Sequence, residues 1–109
     1  MIKGVGIDII EVGRIEKLLE SKENFLTRNF TEAEQEFNLK PESVAGNFAA
    51  KEAFAKSLGT GFRGFGLRDV EVLRNELGAP YIVFRGERSA ANVSISHTKT
   101  TAVAVVIMV

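Results

Sequence analysis

The run Ala102-Val103-Ala104-Val105-Val106-Ile107-Met108-Val109 is apolar at every position, odd and even alike. A strand with one wet face alternates apolar and polar residues, so a strand apolar on both faces has to be covered on both. It is too short to span a bilayer as a helix. It therefore lies either at the centre of the fold or sealed against another subunit, and the rest of the chain has to supply that cover. The opening segment, Ile2 to Ile10, reads as a strand of the opposite kind. Val5, Ile7 and Ile9 point to one side, and Gly4, Gly6 and Asp8 to the other. Two glycines beside a carboxylate leave a bare sheet face that another element can approach closely.

Between these two strands the apolar spacing turns helical. From Glu11, the positions Val12, Ile15, Leu18 and Leu19 line one face, with Arg14, Glu16, Lys17 and Glu20 outward. A short helix is expected around Phe25 to Arg28. Thr31 and Glu34, three apart, match a capping box opening a further helical stretch to about Phe37. Pro41 near a first turn and Gly59 just past an end bracket a long helix. Asp69 to Arg74 and Pro80 to Phe84 form β-rich runs joined through Glu76-Leu77-Gly78, and Asn92 to Ser96 pairs with Thr101 to Val109. Helices in the first half packed on antiparallel strands of the second make the fold class α+β. At 109 residues the chain reads as a single domain, 1–109, without repeats or linkers.

The 14 basic and 14 acidic side chains cancel, so nothing points to nucleic acid, and any anion site has to collect its cations locally. The absence of cysteine excludes disulfides, thiolate metal sites and cysteine nucleophiles, and is compatible with a reducing compartment. Met1 to Asp8 lacks the apolar core and cleavage pattern of a signal peptide. The expectation is a cytoplasmic protein that does not enter membranes.

Three stretches carry chemistry. On the long helix, Phe48, Glu52 and Lys56 share one stripe, so a carboxylate and an amine sit one turn apart. That arrangement is either a surface ion pair or a metal ligand beside a phosphate ligand. Asp8 either caps the helix that begins near Glu11 or, if the long helix packs across the first strand, converges with Glu52 to offer two carboxylates to a hard cation such as Mg2+. The glycine run Gly59-Thr60-Gly61-Phe62-Arg63-Gly64-Phe65-Gly66 closes a helix instead of opening one, so it is not a dinucleotide-binding fingerprint. It is either a helix C-cap with a flexible connection or a loop whose backbone N–H groups hold phosphate oxygens. His97, the one histidine, sits among Ser94, Ser96, Thr98 and Lys99: a phosphate grip or a hydroxyl-rich turn. No local carboxylate completes a triad with it, which argues against nucleophilic hydrolysis.

Taken together, Gly4-Val5-Gly6-Ile7-Asp8-Ile9-Ile10, Asn47-Phe48-Ala49-Ala50-Lys51-Glu52-Ala53-Phe54-Ala55-Lys56 and Ser94-Ile95-Ser96-His97-Thr98-Lys99 resemble the holo-acyl-carrier-protein synthases, the short bacterial branch of the 4′-phosphopantetheinyl transferases. The resemblance implies that fold, and transfer of the phosphopantetheine arm of coenzyme A onto a serine of apo acyl carrier protein, releasing 3′,5′-ADP. It implies Mg2+ held by Asp8 and Glu52, with Lys56 on a phosphate. Asn47, Gly59, Thr60, Gly61, Ser96, His97 and Thr98 are implied at the coenzyme A site, the last three at its nucleotide end. Arg14 is implied to meet the acidic carrier protein, with Leu18 and Phe25 as apolar neighbours. A homotrimer with interface active sites is implied, His97 serving a neighbour's Asp8 and Glu52. The family commonly has arginine at position 47, where this chain has Asn47, leaving Lys51 or Arg63 to replace that cation. That departure also admits a non-catalytic coenzyme A or nucleotide-binding module of the same fold. Glu52, or a water beside it, is the candidate to take the serine proton.

Overall fold

The computed structural model describes residues 1–37 and 40–109. Strand β1 (Gly4–Glu11) leads into α1 (Val12–Ser21), α2 (Phe25–Asn29), α3 (Glu32–Gln35) and the long α4 (Pro41–Ser57). A 3₁₀ turn (Leu67–Asp69) then opens β2 (Val70–Arg74), β3 (Pro80–Phe84), β4 (Glu87–Arg88), β5 (Asn92–His97) and β6 (Thr101–Met108). Two antiparallel three-stranded sheets result, ordered β1-β6-β5 and β2-β3-β4. The α+β expectation holds, with the antiparallel strands divided between two sheets. The strand expected from Asp69 starts at Val70, because the Asp69 carboxylate turns back to accept the N–H of Gly66 at 2.9 Å and winds the chain first.

β6 is the central strand of its sheet, as its double apolarity demands. One face, Ala102, Ala104 and Val106, is buried under α4. The other face continues through Val103, Val105 and Ile107 to their β1 partners Ile9, Ile7 and Val5. Those three are 70%, 60% and 58% exposed, so half of the required cover is absent from the single chain.

Pro41 occupies the first turn of α4, where its missing N–H costs nothing, and Gly59 follows the C-cap at φ +78°. Small residues let α4 sink into the sheet. A Cβ on Gly4 would lie 2.0 Å from the Ser57 carbonyl oxygen, and one on Gly6 would lie 1.8 Å from that of Ala53. At the other end of α4, a Cβ on Gly46 would meet Ile95 Cγ2 of β5 at 2.8 Å. The helix thus crosses the sheet diagonally, its N-terminal half over β5 and its C-terminal half over β1.

The far side of α4 is tied to the rest by a buried ion pair. Lys51 donates to Glu34 Oε1 at 2.6 Å and to the carbonyls of Asn29 and Leu67 at 2.8 and 2.9 Å. Glu34 also accepts the N–H groups of Thr31 and Val72, both at 3.0 Å. The expected capping box between Thr31 and Glu34 is present, and its carboxylate does double duty inside the core. Burial pulls the Lys51 amine below its usual range, with the Glu34 charge pulling the other way.

Candidate active site

The diagonal packing of α4 decides which functional groups meet. Gly4, Gly6 and Asp8 share the β1 face turned toward the helix, and the first two admit the helix backbone. Asp8 is the next residue on that face. It is not a helix cap: it lies in mid-strand opposite Ala104, and Glu11 is the N-cap of α1. Its side chain is 18% exposed and accepts from Lys56 Nζ at 3.1 Å, while the same ammonium donates to the Ile7 carbonyl at 3.0 Å. Lys56 therefore reaches across to β1, away from the helix-surface pair that its spacing from Glu52 suggests.

Glu52 is half-buried one turn before Lys56, and its carboxyl is held above the usual carboxylate range. Burial is the larger cause and the charge of Asp8 the next, with Lys56 and Arg14 pulling the other way. Two carboxylates, one ammonium and one guanidinium thus share a single electrostatic neighbourhood between α1, β1 and α4. Among the described residues, no group of three or more histidine, cysteine or acidic side chains could cage a metal. Two carboxylates suit a hard cation that draws its remaining ligands from water and substrate phosphates, so the donor set fits Mg2+.

The other expected residues lie elsewhere. His97 ends β5, opposite Ala102, which pairs in turn with Ile10. Two strand spacings and two residues separate it from Asp8, about 12 Å between Cα atoms. Ser96 points to the opposite sheet face from His97. The Thr98 hydroxyl accepts the N–H groups of Thr100 and Thr101 at 3.2 and 3.1 Å and so closes the β5–β6 turn. Gly59, Thr60 and Gly61 form a loop directly after α4, near Lys56 in sequence, with both glycines at positive φ.

Arg14 is exposed on α1 and Leu18 is half-buried one turn on. Phe25 is only 8% exposed and stacks on Phe48 with ring centroids 6.0 Å apart, so it shapes that surface from beneath. Lys51 cannot replace a cation at position 47, since its ammonium is spent on Glu34 and two carbonyls. Asn47 is itself 1% exposed, and its Oδ1 accepts from Arg74 Nη2 at 2.8 Å. Sequence reading passed over Arg74, because a lone arginine at a strand end carries no signal of its own.

The family model of the 4′-phosphopantetheinyl transferase superfamily matches residues 4–107. The holo-[acyl-carrier-protein] synthase of Clostridium botulinum strain Alaska E43 is 48% identical over 99% of this chain and 98% of its own length. That of Oceanobacillus iheyensis is also 48% identical, over 99% and 97%. Among solved structures, the Bacillus anthracis synthase in complex with CoA (3′,5′-ADP) superposes with a TM-score of 0.87, at 44% identity over 98% of this chain and 96% of that one. The Helicobacter pylori synthase in complex with coenzyme A gives 0.87 at 33% identity, over 96% and 99%.

Proposed function

The chain belongs to the 4′-phosphopantetheinyl transferase superfamily, among its holo-[acyl-carrier-protein] synthases, and from that premise we propose a Mg2+-dependent transfer of phosphopantetheine from coenzyme A to a carrier-protein serine at the Asp8–Glu52–Lys56 cluster. The observation that carries this reading is the seating of α4 on the bare glycine face of β1, which brings Glu52 and Lys56 to Asp8. In the reaction the serine Oγ attacks the phosphorus that bears the pantetheine arm. The new P–O bond forms as the pyrophosphate bridge breaks, and 3′,5′-ADP leaves. Bound Mg2+ supplies charge neutralisation on the pyrophosphate.

Asp8 and Glu52 would hold that ion, and the half-exposed Lys56 adds a positive charge for a phosphate oxygen. Glu52, or a water beside it, is the candidate to accept the serine proton. Arg14 and Lys17 on α1 present cations to an acidic carrier protein.

The enzyme works as a homotrimer with each site at a subunit interface. Two features support this. The apolar stripe Val5, Ile7 and Ile9 lies bare in the single chain. His97 lies two strands away from its own Asp8, so His97 of the partner subunit completes the site at the nucleotide end. Its place is the cytoplasm, in keeping with a cysteine-free chain; among the described residues no helix is long and apolar enough to cross a membrane.

Incubation with coenzyme A, Mg2+ and apo carrier protein should raise the carrier's mass by one phosphopantetheine, and chelation should abolish the gain. An unchanged carrier mass in the presence of Mg2+ would leave a binding module without catalysis.

A further inference from the structure

At the opposite end of α4 from Lys56, a second cluster collects positive charge. Arg74 closes β2, and its guanidinium is held by the buried Asn47, whose Oδ1 accepts from Nη2 at 2.8 Å. Among the described residues the ion pairs are Lys51–Glu34 and Lys56–Asp8, so Arg74 is not neutralised by a carboxylate. Burial is what shifts its pKa, downward, and a guanidinium keeps its proton regardless.

Arg74 opens onto a cleft of about 450 Å3 lined also by Asn75, Glu76, Leu77, Tyr81 and Arg88. The Arg88 guanidinium lies over the Tyr81 ring, 4.2 Å from its centroid. Asn75 is already used inside the β2–β3 turn, where its Oδ1 accepts the N–H groups of Leu77 and Ala79 at 2.9 and 3.0 Å. Two guanidiniums against one carboxylate leave the cleft positive, in a chain whose overall charge is zero. Gly46, the residue before Asn47, packs on Ile95, two positions before His97. Arg74 and His97 thus belong to the same end of the subunit.

We infer that Asn47 is a positioning residue that aims Arg74, and that Arg74 is the cation gripping the phosphate monoester on the nucleotide end of coenzyme A in this chain. The inference rests on the transferase reading for the identity of the ligand. A neutral carboxamide at position 47 accepts one guanidinium N–H and leaves the fork's full charge for a phosphate, whereas a carboxylate there would cancel it. The cation that position 47 lacks is delivered from the neighbouring strand.

The test is calorimetric binding of 3′,5′-ADP against 5′-AMP, which differ at the 3′-phosphate, to the assembled protein. Wild type should prefer 3′,5′-ADP. Arg74→Ala should lower that preference by roughly tenfold to a hundredfold, the range of one charge-assisted phosphate contact. Arg74→Lys should recover part of it, and Asn47→Asp, nearly isosteric, should lower it by neutralising Arg74 in place. A merely structural role for the pair would weaken both nucleotides alike and leave the preference intact. That result, or a wild type with no preference for 3′,5′-ADP, overturns the inference. The carrier mass assay judges the transferase reading separately, since phosphopantetheine transfer by wild type stands whether or not Arg74 sets nucleotide preference.

Discussion

Gly6→Ala is the smallest change that should pull the two carboxylates apart. The added methyl would sit 1.8 Å from the Ala53 carbonyl oxygen, against the 3.0 Å below which a Cβ essentially never approaches another atom. The obstacle is helix backbone, with no rotamer to swing aside, so α4 has to lift from β1 by at least about 1.2 Å. Overpacking of this kind costs about 1–3 kcal/mol, a large share of the stability of a domain this size. The effect on catalysis should be greater still, because Glu52 and Lys56 ride on the helix and Asp8 stays on the strand. A displacement near 1 Å can cost on the order of a hundredfold in rate.

Gly13→Ala serves as the control, since nothing lies within 4 Å of a Cβ there and the position is exposed in α1. It should be neutral or stabilise by up to about 1 kcal/mol. Urea unfolding gives the stability difference and carrier mass gain over time gives the rate. Wild-type turnover in Gly6→Ala at unchanged stability would refute the seating of α4 on β1 as the source of the site.

Lys51→Met should destabilise by about 3–5 kcal/mol, because it strands the buried Glu34 carboxylate and two carbonyls. Adding Glu34→Gln should recover part of that loss in a double-mutant cycle by denaturation, and strict additivity would disprove the coupling. Glu52→Gln should abolish Mg2+-dependent transfer yet raise the metal-free Tm at neutral pH, since it removes a carboxylate whose folded pKa is raised. The sign follows from that direction: between the unfolded and the folded pKa of Glu52 the wild type gains stability as pH falls, so the variant's advantage should vanish in acid. A lower Tm for the variant at neutral pH would contradict it. Ile7→Glu, on the bare outer stripe of β1, should yield monomers by light scattering with native circular dichroism and no transfer. A persistent trimer would remove that stripe from the contact.

Much of the fold could be read from residue periods. The alternation around Gly4, Gly6 and Asp8 and the Pro41 and Gly59 brackets mark β1 and α4 because strand and helix periods act locally. The glycines even signalled close approach, and with it the meeting of Asp8 and Glu52. What stayed hidden depends on contacts between distant segments. Glu34 looks like an ordinary capping residue until Lys51 arrives from 17 positions away. Lys51 looks like a spare cation until its three acceptors are seen. Arg74 gains meaning only through Asn47, 27 positions earlier, and the division into two sheets depends on which distant strands pair.

The separation of Asp8 and His97 by two strand spacings also has a genetic consequence. If neighbouring subunits each lend one half of every catalytic centre, damage to the two halves need not be cumulative. Subunits carrying Asp8→Ala and subunits carrying His97→Ala, each inert alone, would on co-assembly restore one whole centre in every mixed trimer. Two defective alleles would then complement one another in the same cell.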